Sequence, residues 1–321
     1  MGYDVMQSGQ GTSHAKIILM GEHSVVYGEP AIAMPISEIK CTVTMNQTTD
    51  SIQTIDSRYF SGNISNLPDA MSGISKVIIF LENYFNGKND GWQMKITSML
   101  PAERGMGSSA ATTIALIKCF YDFYGATISK QELLKLADIE EHITHNNPSG
   151  LDAATVSSNR PIWFVRDQTI EPFDINIDAT LVIADTGIRG KTKEAIQLVK
   201  QQLDNYPEAT NKALNKLGTL TKDSSRLLKN NQAIQLGEYF NQAQTILSSL
   251  KLSHPAIDKL IKIARLNGAL GAKFTGGGRG GCIIALTKNK IDAKIISNAL
   301  IDAGATATWV QPLNTIGVNN D

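Results

Sequence analysis

The stretch PAERGMGSSAATTIAL, residues 101–116, carries the strongest structural signal in this chain. Its small residues Gly105, Gly107, Ser108 and Ser109 run directly into an Ala- and Ile-rich segment that favours a helix. Glycine permits close approach and unusual backbone angles, and the N–H groups of a first helical turn attract an anion. The pattern predicts a phosphate-binding loop. Taken alone, it fits equally well a glycine-rich helix start that serves only packing.

The same loop also matches G-x-G-x-x-A, the fingerprint of dinucleotide-binding proteins. That fold needs a strand after the first helix, ending in an acidic residue roughly 20 residues on. Residues 129–145 instead show apolar residues at helical spacing, so a second helix follows the first. This context argues against a dinucleotide site.

A second glycine-bearing segment, DTGIRGKT at residues 185–192, imitates the end of a Walker A loop. The pattern G-x-x-x-x-G-K-[S/T] requires glycine where this chain has Asp185. A P-loop NTPase is therefore rejected.

The remaining chain predicts an α+β fold. Gly190 to Leu250 is largely helical, with Pro207 as a boundary and Gly218 and Gly237 as breaks. The boundary between two lobes is placed between residues 1–185 and 186–321. Other predicted helices cover residues 108–124, 129–145, 255–266 and 291–303, and predicted strands cover residues 15–20, 31–35, 41–45, 92–97, 161–165, 181–184, 272–275, 282–287 and 305–310.

Composition excludes several classes of protein. The chain has 321 residues, with 30 basic and 30 acidic side chains, so no global field draws it to nucleic acid or an anionic membrane. No apolar stretch approaches the roughly 20 residues needed to span a bilayer. Three widely separated cysteines make a poor disulfide framework, and the first residues lack the basic region of a signal peptide. We therefore expect a cytoplasmic protein that binds phosphate locally.

Three separated segments together resemble the signatures of the GHMP kinases. They are AKIILMGEHSVVYG (15–28), PAERGMGSSAA (101–111) and KFTGGGRGGC (273–282), and the resemblance spans most of the chain. Within that superfamily, GEHSVVYG is similar to the form found in the mevalonate kinase family, and NPSGLD (147–152) resembles the segment of its catalytic aspartate.

The resemblance implies a two-lobed fold. The N-terminal lobe would hold a mixed sheet with a left-handed β-α-β unit and bind ATP, and the C-terminal lobe would be ferredoxin-like. It further implies phosphorylation of the primary hydroxyl of (R)-mevalonate by ATP with Mg²⁺, by direct in-line transfer.

Matching positions imply the residue roles. Asp152 would act on the substrate hydroxyl, and Lys16 would pair with Asp152 and the reacting charges. Read without the family, Asp152 is a favourable first-turn helix residue and Lys16 a lysine that extends to solvent. The ATP loop comprises Gly105, Gly107, Ser108, Ser109 and Ala110.

The resemblance also assigns magnesium and acceptor residues. Glu141, with Ser109 or Ser108, would bind Mg²⁺, an ion that needs few protein ligands. Glu22, His23 and Thr192 would line the acceptor site. Arg279 departs from the small residue of many relatives, and it is left out of the catalytic set.

Two other functions remain open at this point. Another GHMP kinase, acting on phosphomevalonate or homoserine, would differ in the acceptor pocket and not in the ATP loop. A non-catalytic nucleotide-binding sensor is the second alternative, although Asp152, Lys16 and Glu141 are all present. The expected partner is mevalonate, with neither nucleic acid nor membrane, and a homodimer is possible.

Overall fold

The computed structural model describes residues 6–144, 149–168 and 170–314. In chain order, the strands are β1 (Ser8–Met20), β2 (Ala31–Gln47), β3 (Gln53–Ser57), β4 (Ser61–Asn63), β5 (Trp92–Ser98), β6 (Ile162–Phe164), β7 (Glu171–Pro172), β8 (Thr180–Asp185), β9 (Gly271–Phe274), β10 (Cys282–Thr287) and β11 (Ala307–Pro312). The α-helices are α1 (Ser72–Tyr84), α2 (Ser108–Phe123), α3 (Lys130–Thr144), α4 (Leu151–Val156), α5 (Thr192–Asn205), α6 (Pro207–Lys229), α7 (Ala233–Ser249), α8 (Pro255–Leu266) and α9 (Lys290–Asp302).

The chain divides into two compact units whose segments interleave along the sequence. The first unit draws on Met1–Ala15, Ser37–Pro101 and Gly107–Ser157, and the second on Lys16–Ile36, Ala102–Met106 and Ser158–Asp321. The lobe boundary between residues 185 and 186 stays a prediction.

The first unit contains a mixed sheet. The second half of β2 pairs antiparallel with β5, from Cys41 opposite Ser98 to Gln47 opposite Trp92. On its other side β5 pairs in parallel with β3, which pairs antiparallel with β4. Parallel neighbours need a crossover connection, and α1 lies in the connection from β3 to β5. A β-α-β unit is therefore present, and its left-handedness stays a prediction.

Helix α2 packs against β1 with almost no space between the two backbones. It is apolar on most of its faces, as a buried helix must be, and Ile114, Leu116 and Phe120 are fully buried. A Cβ on Gly11 of β1 would lie 1.9 Å from the carbonyl oxygen of Ala115. Glycine in β1 is thus what lets the helix that follows the glycine-serine loop lie directly on the strand.

The second unit contains a four-stranded antiparallel sheet in the order β11-β8-β10-β9. Numbered along the chain, this order is 4-1-3-2, and helices separate the first strand from the second and the third from the fourth. That is the ferredoxin-like arrangement, and the expectation for the C-terminal lobe is confirmed. Strands β8, β9 and β10 are buried along their whole length, and their side chains are mainly apolar apart from Lys273 and the polar residues at the strand ends.

The long helical region separates into α5, α6 and α7. Pro207 occupies the first turn of α6, where its missing N–H is tolerated, so the predicted boundary there is confirmed. The predicted breaks at Gly218 and Gly237 are wrong, because both glycines lie inside helices. A Cβ on Gly218 would lie 2.0 Å from Oε2 of Glu29, and one on Gly237 would lie 2.6 Å from the backbone of Leu270. Close packing, and not chain reversal, explains both glycines.

Across the described segments, no helix combines the length and the apolar character needed to span a membrane.

We predict that Gly11→Ala lowers the free energy of unfolding by about 3 kcal/mol, because the added methyl group must push α2 away from β1. Urea denaturation measures the loss. Gly125→Ala is the control, since Gly125 has a φ of +62° and nothing within 4 Å of an added Cβ. That variant should lose only about 1–2 kcal/mol from its left-handed backbone. Equal losses in the two variants would contradict this account of α2 packing.

Candidate active site

The first half of the glycine-serine loop is anchored within the second unit. The Arg104 guanidinium pairs with Asp185, with 3.0 Å between Nε and Oδ1, and donates to the carbonyl oxygen of Gly187 at 2.9 Å. The Arg104 carbonyl oxygen accepts from the N–H of Cys282 at 3.1 Å. These contacts tie the loop to the ends of β8 and β10. Asp185, which broke the Walker pattern, serves here as the partner of Arg104.

Gly105 brings this loop against the glycine loop of residues 275–281. Its φ of +77° is in the left-handed region, and a Cβ there would lie 2.8 Å from the carbonyl oxygen of Thr275. A Cβ on Gly276 would in turn lie 2.8 Å from the Cα of Gly105. The second and third sequence motifs therefore meet backbone to backbone.

The second half of the loop forms the start of α2 in the first unit. Gly107 takes a left-handed conformation with a φ of 73°, and α2 begins at Ser108. The N–H groups of Ser108, Ser109 and Ala110 belong to the first helical turn, whose donors have no partner within the helix. Ala110 is buried and Ser109 is exposed. This geometry presents backbone donors as an anion-binding helix start requires.

Ser109 contacts a glutamate that the sequence reasoning did not select. Its hydroxyl donates to Oε1 of Glu140 at 2.6 Å. Glu140 lies on α3, is 3% exposed, and approaches Gly73 of α1. The predicted magnesium pair was Ser109 with Glu141, the next residue along. The family resemblance implied Glu141, and Glu140 is its immediate neighbour in the sequence.

Glu141 lies beside Asp152 in the first unit. Its Oε1 accepts from the N–H of Ala153 at 3.3 Å. Burial first, and then the negative charge of Asp152, raise the pKa of Glu141 to about 8. Asp152 lies in the first turn of α4, which follows a left-handed Gly150. The two predicted carboxylates are thus neighbours, and a cation would relieve their repulsion.

Part of the aspartate motif lies outside the described residues. Asn147 and Pro148 fall there, while Ser149 to Asp152 are described.

Lys16 and Glu22 are buried together in the second unit. Each is 1% exposed, and the backbone N–H of Lys16 donates to the carbonyl oxygen of Met106 at 3.1 Å. Glu22 forms an ion pair with Lys273, which is completely buried. Burial raises the pKa of Glu22, and the positive charges of Lys273 and Lys16 oppose that rise. The sequence motif contained Lys273, but an isolated lysine in a strand gave no reason to select it.

His23 is held in a strained turn. Its φ is +61° and its ψ is −43°, and the N–H of Ser24 donates to the carbonyl oxygen of Glu22 at 2.7 Å, which makes a γ-turn. The ring Nε2 donates to the carbonyl oxygen of Gly277 at 2.9 Å. Burial lowers the pKa of His23 to about 4, so the ring is neutral at physiological pH. With Nε2 as the donor, Nδ1 is an acceptor.

The glycine loop of residues 275–281 has two further contacts, one with Thr192 and one made by its own Arg279. A Cβ on Gly277 would lie 2.4 Å from Oγ1 of Thr192, the first residue of α5. Arg279 donates through Nη1 to the carbonyl oxygen of Lys251 at 3.4 Å and through its backbone N–H to that of Leu252 at 2.8 Å. Arg279 therefore connects the loop to the segment after α7.

Comparison with known proteins bears on this arrangement. The model of the GHMP kinase N-terminal domain matches residues 73–159, and that of the GHMP kinase C-terminal domain matches residues 224–306. A mevalonate kinase from Pyrococcus horikoshii is 32% identical over 297 residues, which cover 86% of this chain and 88% of the relative. This chain belongs to the mevalonate kinase family.

Other members of the mevalonate kinase family agree with the assignment. The enzyme from Pyrococcus abyssi is 32% identical, with 91% of this chain and 92% of the relative covered. The structure of mevalonate kinase from methicillin-resistant Staphylococcus aureus is 31% identical, with a TM-score of 0.74 over 96% of this chain and 99% of the other. The Leishmania major structure, solved with R-mevalonate, shares the fold with a TM-score of 0.81 at 23% identity, over 97% of this chain and 99% of the other. The predicted kinase fold is confirmed.

We predict a pH-dependent effect of Glu141→Gln on stability without metal or nucleotide. The folded-state pKa of about 8 lies above the ordinary value of 4.5. The stability of the native protein therefore falls, through this group, as pH rises from about 4.5 to about 8. The glutamine of the variant does not ionise, so the variant does not lose stability in this way. It should therefore become more stable than the native chain above about pH 8.

Urea denaturation at about pH 5 and at about pH 8.5 tests this expectation. Glu171→Gln, at an exposed carboxylate of β7, is the control and should behave alike at both pH values. If the stability difference between Glu141→Gln and the native chain does not change with pH, the expected effect of the raised Glu141 pKa is contradicted.

Proposed function

We propose that this protein transfers the γ-phosphoryl group of ATP to the primary hydroxyl of (R)-mevalonate, giving 5-phosphomevalonate and ADP. The observation that carries the proposal is the contact of Gly105 with Thr275 and Gly276, just before the start of α2. Membership of the mevalonate kinase family supports the choice of acceptor.

The triphosphate binds at the glycine-serine loop. Backbone N–H groups at the start of α2 hold phosphate oxygens, and the helix dipole favours their negative charge. The residues in this role are Gly105, Gly107, Ser108, Ser109 and Ala110. Because net charge is zero, attraction to ATP comes from this local geometry and not from a global field.

The donor set of the first unit suits Mg²⁺. Within the described chain, no group of three His, Cys, Asp or Glu residues has metal-binding geometry. Mg²⁺ is held by one or two carboxylates together with phosphate oxygens and waters, so the Ser109 hydroxyl and a glutamate of α3 suffice. Burial and then the negative charge of Asp152 raise the pKa of Glu141, and two neighbouring carboxylates of this kind support a cation here. Bound Mg²⁺ would neutralise charge on the β- and γ-phosphates.

Asp152 and Lys16 act on the acceptor hydroxyl. The carboxylate of Asp152 accepts the hydroxyl proton or orients the hydroxyl, and the Lys16 ammonium stabilises negative charge on the reacting oxygens. Glu22, His23 and Thr192 contribute to the acceptor site, where neutral His23 offers Nδ1 as a hydrogen-bond acceptor.

We further propose a cytoplasmic location. In the described chain Cys41, Cys119 and Cys282 are buried and unpaired, which suits a reducing compartment. The homodimer stays a prediction.

ADP release with a panel of acceptors tests the function. We expect turnover with (R)-mevalonate, and little with homoserine, galactose or phosphomevalonate. Turnover of homoserine without turnover of mevalonate would overturn the acceptor. Binding of ATP with no turnover of any acceptor would instead favour the nucleotide-binding sensor.

We predict that Asp152→Asn lowers kcat by about 10³-fold, because the amide cannot accept the hydroxyl proton. The Kd for ATP, measured by calorimetry, should stay nearly unchanged. Asp138→Asn is the control, since its carboxylate lies on exposed α3 surface with 50% of the side chain accessible. Near-normal turnover in Asp152→Asn would remove the catalytic assignment.

We predict that Glu141→Gln raises the Mg²⁺ concentration for half-maximal rate by about 10-fold or more, because a charged ligand is lost. Glu140→Gln serves as the matched comparison, since it removes the negative charge of the carboxylate that accepts from the Ser109 hydroxyl. A smaller shift in Glu140→Gln assigns the ligand to Glu141, as the sequence implied. A larger shift in Glu140→Gln assigns the ligand to Glu140. If neither variant shifts the Mg²⁺ dependence, neither carboxylate is a magnesium ligand.

A further inference from the structure

A completely buried ion pair connects the first sequence motif with the third, inside the second unit. The side chain of Lys273 is 0% exposed and that of Glu22 is 1% exposed. The Lys273 ammonium donates to Oε1 of Glu22 and, at 2.9 Å, to the carbonyl oxygen of Phe274. It also lies 5.8 Å from the centre of the Phe240 ring. The reaction proposed above does not use Lys273.

Stability alone does not account for this pair. Removing two charges from water costs several kcal/mol per ion, and apolar replacements of buried pairs are often neutral or stabilising. The site is also unlike the exposed pairs of the same unit, such as Lys222 with Glu29, where 57% and 21% of the side chains are accessible. A completely buried ammonium on a core strand therefore calls for another explanation.

Two cations act on the Glu22 carboxylate. Lys273 is in contact with it, and Lys16 acts through its charge, which also stabilises the ionised form. The backbone N–H of Lys16 donates to Met106, inside the glycine-serine loop. Lys273 is the cation that touches the Glu22 carboxylate, so it holds that carboxylate in place.

Glu22 also provides one side of the γ-turn at His23. Its carbonyl oxygen accepts from the N–H of Ser24, and the turn takes a φ that non-glycine residues rarely adopt. Strained backbone persists when surrounding contacts hold it from several directions. Here the Lys273 contact holds the Glu22 side chain, and the Gly277 carbonyl oxygen holds the His23 ring.

We propose that Lys273 is a positioning residue for phosphoryl transfer, which fixes the Glu22 carboxylate and, through it, the His23 turn. The inference rests on the proposed function, since it concerns residues assigned to the acceptor hydroxyl. It requires Lys273 to act through Glu22, and that requirement is measurable.

A double-mutant cycle on kcat tests it, with Lys273→Met, Glu22→Gln and the double variant. We expect Lys273→Met alone to lower kcat by about 100-fold, the loss that a displacement of about 1 Å produces. In the Glu22→Gln background, the same substitution should change kcat by less than about 3-fold, because the group through which Lys273 acts is already altered. KM for ATP should stay within about 3-fold throughout, since the phosphate loop is unchanged.

Circular dichroism during urea denaturation reports the folded fraction of each variant, so kcat is expressed per folded molecule. Lys222→Met is the control, since it removes the lysine of an exposed pair, and it should leave kcat unchanged. If Lys273→Met does not fold, the comparison of Glu22→Gln with the double variant decides. There, a further loss of about 100-fold would contradict the proposal.

Three outcomes overturn the inference. They are full kcat in folded Lys273→Met, an equal loss from that substitution in both backgrounds, and a loss confined to KM for ATP. The wild-type protein and Lys222→Met would still phosphorylate mevalonate in each of these cases, so the proposed function would stand. Absence of turnover in the wild-type protein with every acceptor would refute the proposed function and this inference together.

Discussion

The contact between the loop at Gly105 and the loop at Thr275 and Gly276 is the constraint on which the second unit depends. The two backbones approach so closely that a methyl group on Gly105 or Gly276 would overlap the other loop. Only glycine satisfies both the spacing and the left-handed backbone. Arg104, paired with Asp185, then holds the first loop in place, so its position follows from packing and from one ion pair.

Buried charge is the second constraint. The first unit places two carboxylates side by side, and the second unit pairs a carboxylate with a lysine. In the first unit, burial and then the nearby negative charge of Asp152 raise the pKa of Glu141. In the second unit Glu22 is neutralised by Lys273 and stabilised by Lys16. Water-poor surroundings strengthen both effects, which is the condition under which fixed charges best stabilise a reacting phosphate.

Sequence patterns predicted the elements well where a local cause acts. The helix after the glycine-serine loop, the ferredoxin-like order and the helix start at Pro207 all follow from periodicity, backbone restrictions or a family signature. They failed at Gly218 and Gly237, which look like helix breaks but lie inside helices against Glu29 and Leu270. A glycine required by a distant neighbour cannot be told locally from one required by a turn.

The amino-acid order alone determined the family, the three glycine-bearing motifs and the set of candidate carboxylates and lysines, because motif residues lie close together in the chain. Tertiary structure alone decided which of them meet. It joined Ser109 to Glu140, placed Glu141 beside Asp152, and buried Lys273 against Glu22, 251 positions away. Such pairings depend on how strands and helices pack, and on the dielectric environment that packing creates, so no local pattern encodes them.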